Sequence, residues 1–224
     1  IIKEILTASK LDDEKRLGEI LDEMRSRSRM RLEGASHSAA VARACSYFSP
    51  VRAFDDMTGG IEYFHFLEKT ADAYSKDEKF RKELVRKLKE TAEKLFAADN
   101  LMVGYTADEE GYKALPEELK KFKAALSDKP SRRYAFEFVP ELKNEGFKTS
   151  SKVNYVARCG SFDAEAYTGA LEVLKVIMNY EYLWQNLRVI GGAYGCMSNF
   201  GRSGTGCLVS YRDPKLAATD KIYE

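Results

Sequence analysis

The sequence predicts an α+β fold: a helix-rich portion over residues 1–127, then an antiparallel sheet packed with helices over residues 131–224. Three observations predict it. Apolar residues recur at helical spacing in the first portion, at Leu17, Ile20, Leu21 and Met24 and again at Leu84, Leu88, Ala92 and Leu95. In the second portion KVNYVAR, residues 152–158, alternates as a strand does, and two further strand-like runs flank Gly201-Arg202-Ser203-Gly204. Between the portions, Ser127-Asp128-Lys129-Pro130-Ser131 is polar, carries a proline and marks the change of pattern.

Taken in order, IIKEIL at residues 1–6 opens with no cap or turn residue ahead of it. Residues 11–14, LDDE, start a helix whose first-turn acids suit the helix dipole. A second helix is expected over 38–47, broken at Ser49-Pro50, and Gly59-Gly60 marks a turn. Helices follow over 61–74 and 77–97, the latter with a long apolar stripe. Residues 100–105, NLMVGY, are a strand candidate, and 116–126 are a helix with Pro116 near its first turn. After the linker, 134–139 read as extended and 152–158 as a strand that turns at Cys159-Gly160-Ser161. A helix over 163–179 and a shorter one over 182–189 come next, the second stopped by Gly191-Gly192. Strands at 196–200 and 206–212 close the sheet. Asp213-Pro214 then reads as N-cap and N1 of a terminal helix.

Composition narrows the function classes. The 36 basic and 35 acidic residues leave a formal net charge of +1, which argues against nucleic acid or an anionic membrane as the partner. No apolar run approaches the roughly 20 residues of a membrane-spanning helix. Ile1 opens into a charged segment rather than a signal peptide, and both ends read as cut from a longer polypeptide. Cys45, Cys159, Cys196 and Cys207 are scattered without metal-ligand spacing, so reduced thiols in an intracellular setting are expected.

Several motifs imitate active sites. His65-Phe66-Leu67-Glu68-Lys69 resembles the inverted zinc motif H-x-x-E-H, with lysine where the second histidine belongs. A catalytic zinc needs three protein ligands, and the other histidine, His37, lies on a different segment. His65 therefore reads as an ordinary helix or packing residue. RSRSRMR places Arg25, Arg27, Arg29 and Arg31 two apart, which on a helix spreads the charges around the axis. A solvated or salt-bridging face is the better reading there than an RNA-binding module. KFRKELVRKLKETAEK reads as a charged surface helix. GGAYG follows a helix and opens a strand, the reverse of a phosphate loop, and no G-x-S-x-G nucleophile elbow is present.

The corner RVIGGAYG is different. Arg188 lies near a helix end and Tyr194 six residues on, with Gly191 and Gly192 permitting a sharp reversal between them. One reading brings guanidinium and phenol to one side, as fixed donors for a peptide carbonyl whose oxygen turns negative during attack. The other is a C-capped helix whose arginine makes a salt bridge and whose tyrosine packs in the core. Spacing alone leaves both open.

Longer stretches add a resemblance. EYLWQNLRVIGGAYG at 181–195, followed by SYRDP at 210–214, resembles the C-terminal half of the pitrilysin-type zinc metallopeptidases, in their presequence-degrading branch. Residues 10–23, 34–44 and Gly59-Gly60-Ile61 are similar to the same branch, so the likeness covers nearly the whole chain. It implies four related α+β domains in two halves closing on a chamber. Residues 1–127 would be the helix-rich rear part of the third domain and 131–224 the front of the fourth.

The resemblance also implies chemistry. Zinc would be bound on the N-terminal half of the same polypeptide, outside this fragment, with no metal ligands in this chain. Arg188 would help hold the backbone of a peptide substrate, and Tyr194 would stabilise the oxyanion. The implied function is peptide degradation by a metalloendopeptidase, with this fragment inactive alone. A non-catalytic structural or peptide-binding paralogue is the alternative. The implied setting is cytoplasmic in a bacterium or an organelle matrix in a eukaryote.

Overall fold

A computed structural model describes residues 1–130 and 132–224; Ser131, the last residue of the expected linker and the first of the expected second portion, lies outside the described residues. The helices are α1 (Ile2–Ala8), α2 (Glu14–Gly34), α3 (Ser36–Ser46), α4 (Pro50–Gly59), α5 (Ile61–Lys76), α6 (Glu78–Leu95), α7 (Glu109–Lys123), α8 (Gly169–Ile177) and α9 (Ala217–Ile222). The strands are β1 (Ala157–Ser161), β2 (Gly195–Gly201) and β3 (Thr205–Tyr211), forming one antiparallel sheet in the order β1-β3-β2. The class is α+β, as expected. Among the described residues no helix is long and apolar enough to cross a membrane.

The chain forms two compact units, each discontinuous in sequence. The first, Ile1–Glu23 with Lys69–Phe136, is helical. Tyr74 is buried against the small residue Gly18, and its hydroxyl donates to the Glu14 carbonyl at 2.8 Å. Asp77 caps α6 by accepting from the Lys79 and Phe80 N–H groups. The expected linker is anchored at its start, where Ala98 donates to the Ser127 carbonyl at 2.8 Å.

Three expectations fail in this unit or at its edge. Residues 101–105 form no strand: no neighbouring edge pairs with them and Met102 is 93% exposed, so β propensity finds no packing partner. Residues 134–139 likewise lie outside any ladder. Helix α7 starts seven residues before Pro116, because Asp108 caps it through the Gly111 N–H and Glu109 and Glu110 fill its first turn. Pro116 sits inside the helix, where it forgoes one backbone bond.

The second unit, Met24–Glu68 with Glu137–Glu224, carries the sheet. Ser49-Pro50 does break the chain, but only to begin α4: Ser49 is its N-cap and Pro50 its first residue. Arg43 ties this region together. It pairs with Asp56 at 2.6 Å and with Glu145 at 2.8 Å, and Tyr47 donates its hydroxyl to Glu145. The Arg43 hydrogen bond holds the Glu145 carboxyl below the ordinary glutamate range. A lowered folded-state pKa adds stability above the unfolded value and loses it as pH falls through the folded one. Denaturation midpoints of the wild type are expected to fall between about pH 5 and about pH 3. Glu145→Gln should show a shallower decline over the same range. Parallel pH profiles for the two would refute that contribution.

The sheet differs from expectation at β1. Residues 152–156 are not a strand of the ladder; Asn154 makes a single bridge to Asp213, and the pairing begins at Ala157. Cys159, Gly160 and Ser161 are therefore in the strand rather than turning out of it. The β2–β3 hairpin is as expected, with Gly204 at φ 76 in the left-handed region that a three-residue loop requires. The two helices expected at 163–179 and 182–189 are a single rod. After a short 3₁₀ turn at Ala164–Ala166, α8 continues without a break into a π-helical segment, Met178–Ile190. Leu183 and Leu187 of that segment are buried with Val156, Ala193 and Tyr223, which makes the core beneath the candidate site. Asp213 does not start α9, which begins at Ala217. Its buried carboxylate accepts from the Lys215 N–H at 2.8 Å and the Thr219 hydroxyl at 2.6 Å, pinning the approach to that helix.

Candidate functional site

The end of the π-helical segment places Arg188 beside the buried Leu187 but off the core. The chain then reverses at Gly191 and Gly192. A Cβ on Gly191 would lie 2.4 Å from the Leu187 carbonyl oxygen, so no other residue fits there. Gly192 has φ 84, the left-handed conformation that ends helices. The Gly192 and Ala193 N–H groups return to the Arg188 and Leu187 carbonyls at 3.1 and 2.9 Å, which satisfies the wide last turn.

Ala193 is buried, and the next residue, Tyr194, turns outward at 63% exposure. Its backbone is held on both sides. The Tyr194 N–H donates to the Tyr211 and Arg212 carbonyls at 3.0 and 3.3 Å, and its carbonyl accepts from the Arg188 guanidinium. That guanidinium lies between two rings, 4.7 Å from the Trp184 centroid and 5.2 Å from that of Tyr194. The two residues singled out in sequence thus come together. Tyr194 is not a core residue, and among the described residues Arg188 has no carboxylate partner.

Arg188, Val189, Gly192, Ala193, Tyr194 and Arg212 line one shallow, open concavity of about 570 Å³. Its lining holds two cations, a phenol and no acid. Such a wall suits oxygen acceptors: a guanidinium has five N–H donors, and only one is spent on the Tyr194 carbonyl.

Sequence reasoning missed Arg212, Trp184 and the ring layer behind Tyr194. Tyr211 meets the Tyr194 ring at 5.9 Å and in turn touches Tyr155 and His37 edge-on at 5.5 and 5.0 Å. Arg212 lies over the Tyr211 and Tyr194 rings at 5.5 and 6.0 Å, on a backbone with φ 49 that non-glycine residues seldom adopt. The signal for Arg212 was countable. The hairpin pairs Gly201 with Thr205 and Gly195 with Tyr211, so one more step sets Tyr194 opposite Arg212. Trp184 stands four residues before Arg188, a neighbouring position on a helical surface.

The zinc-like decoy makes a different set of contacts. His65 Nδ1 lies 3.4 Å from one Glu68 oxygen, while the other oxygen accepts from Arg29 at 2.9 Å. No third ligand joins them; among the described residues, the His, Cys, Asp or Glu side chains close enough to share an ion are Cys45, Cys159 and Cys207. A catalytic zinc does not fit the residues of this chain. RSRSRMR is helical, with Arg29 paired to Glu68 and Arg31 donating to the Gly59 carbonyl.

A family model for a peptidase-associated domain matches residues 1–69, and one described as PreP C-terminal domain matches residues 144–224. The chain belongs to the pitrilysin-type peptidases, in the presequence protease branch. It is 32% identical to Protein HypA of Clostridium perfringens, over 100% of this chain and 23% of that protein. To presequence protease 1, chloroplastic/mitochondrial, of Arabidopsis thaliana it is 28% identical, over 98% of this chain and 20% of that one. The mitochondrial presequence protease of Saccharomyces cerevisiae is 24% identical over 81% of this chain and 19% of its own length. This pitrilysin-type chain spans about a fifth of the length of these relatives. The corner described above falls inside the matched PreP C-terminal domain.

Proposed function

We propose that this pitrilysin-type chain is part of the C-terminal half of a zinc-dependent endopeptidase that degrades peptides in a closed chamber. Residues 1–127 are then the rear of the third family domain and 131–224 the front of the fourth. Its partners are a peptide substrate and the N-terminal half of the same polypeptide. The zinc belongs to that half, since the residues here offer no ligand set for it. The chain alone is then inactive. The working compartment is the cytoplasm in a bacterium or an organelle matrix in a eukaryote.

Tyr194 is the oxyanion donor in this reading. Its hydroxyl stands on an outward-facing ring whose backbone is pinned at both ends, so the donor needs no reorganisation when charge develops on the scissile oxygen. Arg188 holds a substrate carbonyl through its remaining donors, stiffened by Trp184 on one side and Tyr194 on the other. Arg212 adds a second cation to the same wall. The observation that carries the reading is the sharing of one open concavity by Arg188 and Tyr194.

The test is Arg188→Ala in the full-length polypeptide, assayed on an unstructured peptide. A charge-assisted bond is worth roughly 1.5–3 kcal/mol, so kcat/KM should fall about 10- to 150-fold. An unchanged kcat/KM would remove Arg188 from the site. A full-length protein that binds peptides without hydrolysing them would instead mark a non-catalytic paralogue.

A further inference from the structure

The fold gathers three cysteines that the sequence scatters. Cys45 lies near the end of α3, Cys159 in the middle of β1 and Cys207 opposite it on β3. Directly paired residues project to the same face of a sheet, and α3 packs against these two strands. The three sulfurs lie within 4.8 Å of one another, with Cys45 and Cys207 at 3.4 Å. Cys45 and Cys207 are buried, while Cys159 is partly exposed and opens the group to small solutes. The fourth cysteine, Cys196, stands apart.

The cluster is poised to carry charge. Hydrogen bonds from Cys159 and Cys207 hold the Cys45 thiol down, to about 4, with Arg52 adding to the effect. Bonds with Cys207 and Cys45 push Cys159 far up. One thiolate is therefore shared by three sulfurs in an apolar interior, where an uncompensated charge is costly. A cation seated among them would neutralise it. An ion at the centre of three sulfurs at roughly 2.3 Å needs S···S separations of about 4.0 Å, within the span seen here. A disulfide would use two of the sulfurs and leave the third idle. Structural zinc takes four ligands, and no fourth side chain joins the group among the described residues, whereas Cu(I) is selected by thiolates.

We propose that Cys45, Cys159 and Cys207 form a three-coordinate site for a soft, thiophilic metal ion of the Cu(I) class. Each sulfur that ligates releases its proton to solvent, and no electron is transferred.

The test titrates the reduced full chain with Cu(I) in the absence of oxygen, against a chromophoric Cu(I) chelator. One equivalent should bind per chain, with a thiolate-to-copper charge-transfer band and a raised thermal midpoint. Cys159→Ser, chosen because that side chain is partly exposed, should weaken binding about 100-fold and remove the band. Its metal-free thermal unfolding checks that the fold survives. Cys196→Ser should bind as the wild type does. Uptake that Cys159→Ser leaves unchanged overturns the proposal. So does a reduced chain that takes up no copper and whose only thiol chemistry is a Cys45–Cys207 disulfide formed in air.

Discussion

Replacing Tyr194 by phenylalanine in the full-length polypeptide should lower kcat about 10²- to 10³-fold, with the thermal midpoint unmoved. Loss of one preorganised oxyanion donor costs roughly 2.7–4 kcal/mol of transition-state stabilisation. Folding should not register the change, because what holds this residue is independent of its hydroxyl. The main chain is fixed by Tyr211, Arg212 and Arg188, and the ring keeps its edge contact with Tyr211 and its cation contacts. KM should change little, since the bond forms only as charge develops. Steady-state kinetics beside a melting curve would separate the two effects. A destabilised variant with normal turnover would make Tyr194 a structural residue.

The largest stability effect is expected at Asp56. Its side chain is only 3% exposed, with one oxygen 2.6 Å from Arg43 and the other accepting from the Ile61 N–H at 2.8 Å. It therefore serves as the ion partner of α3 and as the acceptor for the first turn of α5. Gly60 is nested against it so closely that a Cβ there would lie 2.1 Å from Asp56 Oδ1. Asp56→Ala leaves Arg43 with an uncompensated charge on its buried side and an orphaned N–H, and should cost about 3–5 kcal/mol in denaturant unfolding. Asp56→Asn keeps the acceptor but not the charge, and should fall between. Equal losses for the two variants would mean that the hydrogen bond, not the ion pair, matters.

What could be read from the sequence depended on how local its cause was. Gly191-Gly192 is a stop signal that acts within one helical turn, and the Gly201–Gly204 hairpin is set by its own loop, so both were legible. The α+β class followed from the same local patterns. Pro116 was misread because the start of α7 is decided by Asp108 and its acidic neighbours, eight residues away. The rod from Gly169 to Ile190 looked like two helices, and only the shared burial of Leu183 and Leu187 under the sheet shows why it winds on. The strand expected at 152–158 failed because its pairing is set by β3, some fifty residues later. The corner itself was half legible: the residue types were visible, and their convergence was one of two readings. The thiol cluster was not legible at all, since its three members meet through the pairing of distant strands and the docking of α3.

The most direct measurement is the affinity of a phosphinic peptide, a mimic of the tetrahedral intermediate, for the full-length wild type and for Tyr194→Phe. If the phenol serves the developing oxyanion, inhibitor binding should weaken by the same factor by which kcat/KM falls. A variant that loses turnover yet binds the mimic as tightly as the wild type would contradict the assignment of Tyr194 to the oxyanion.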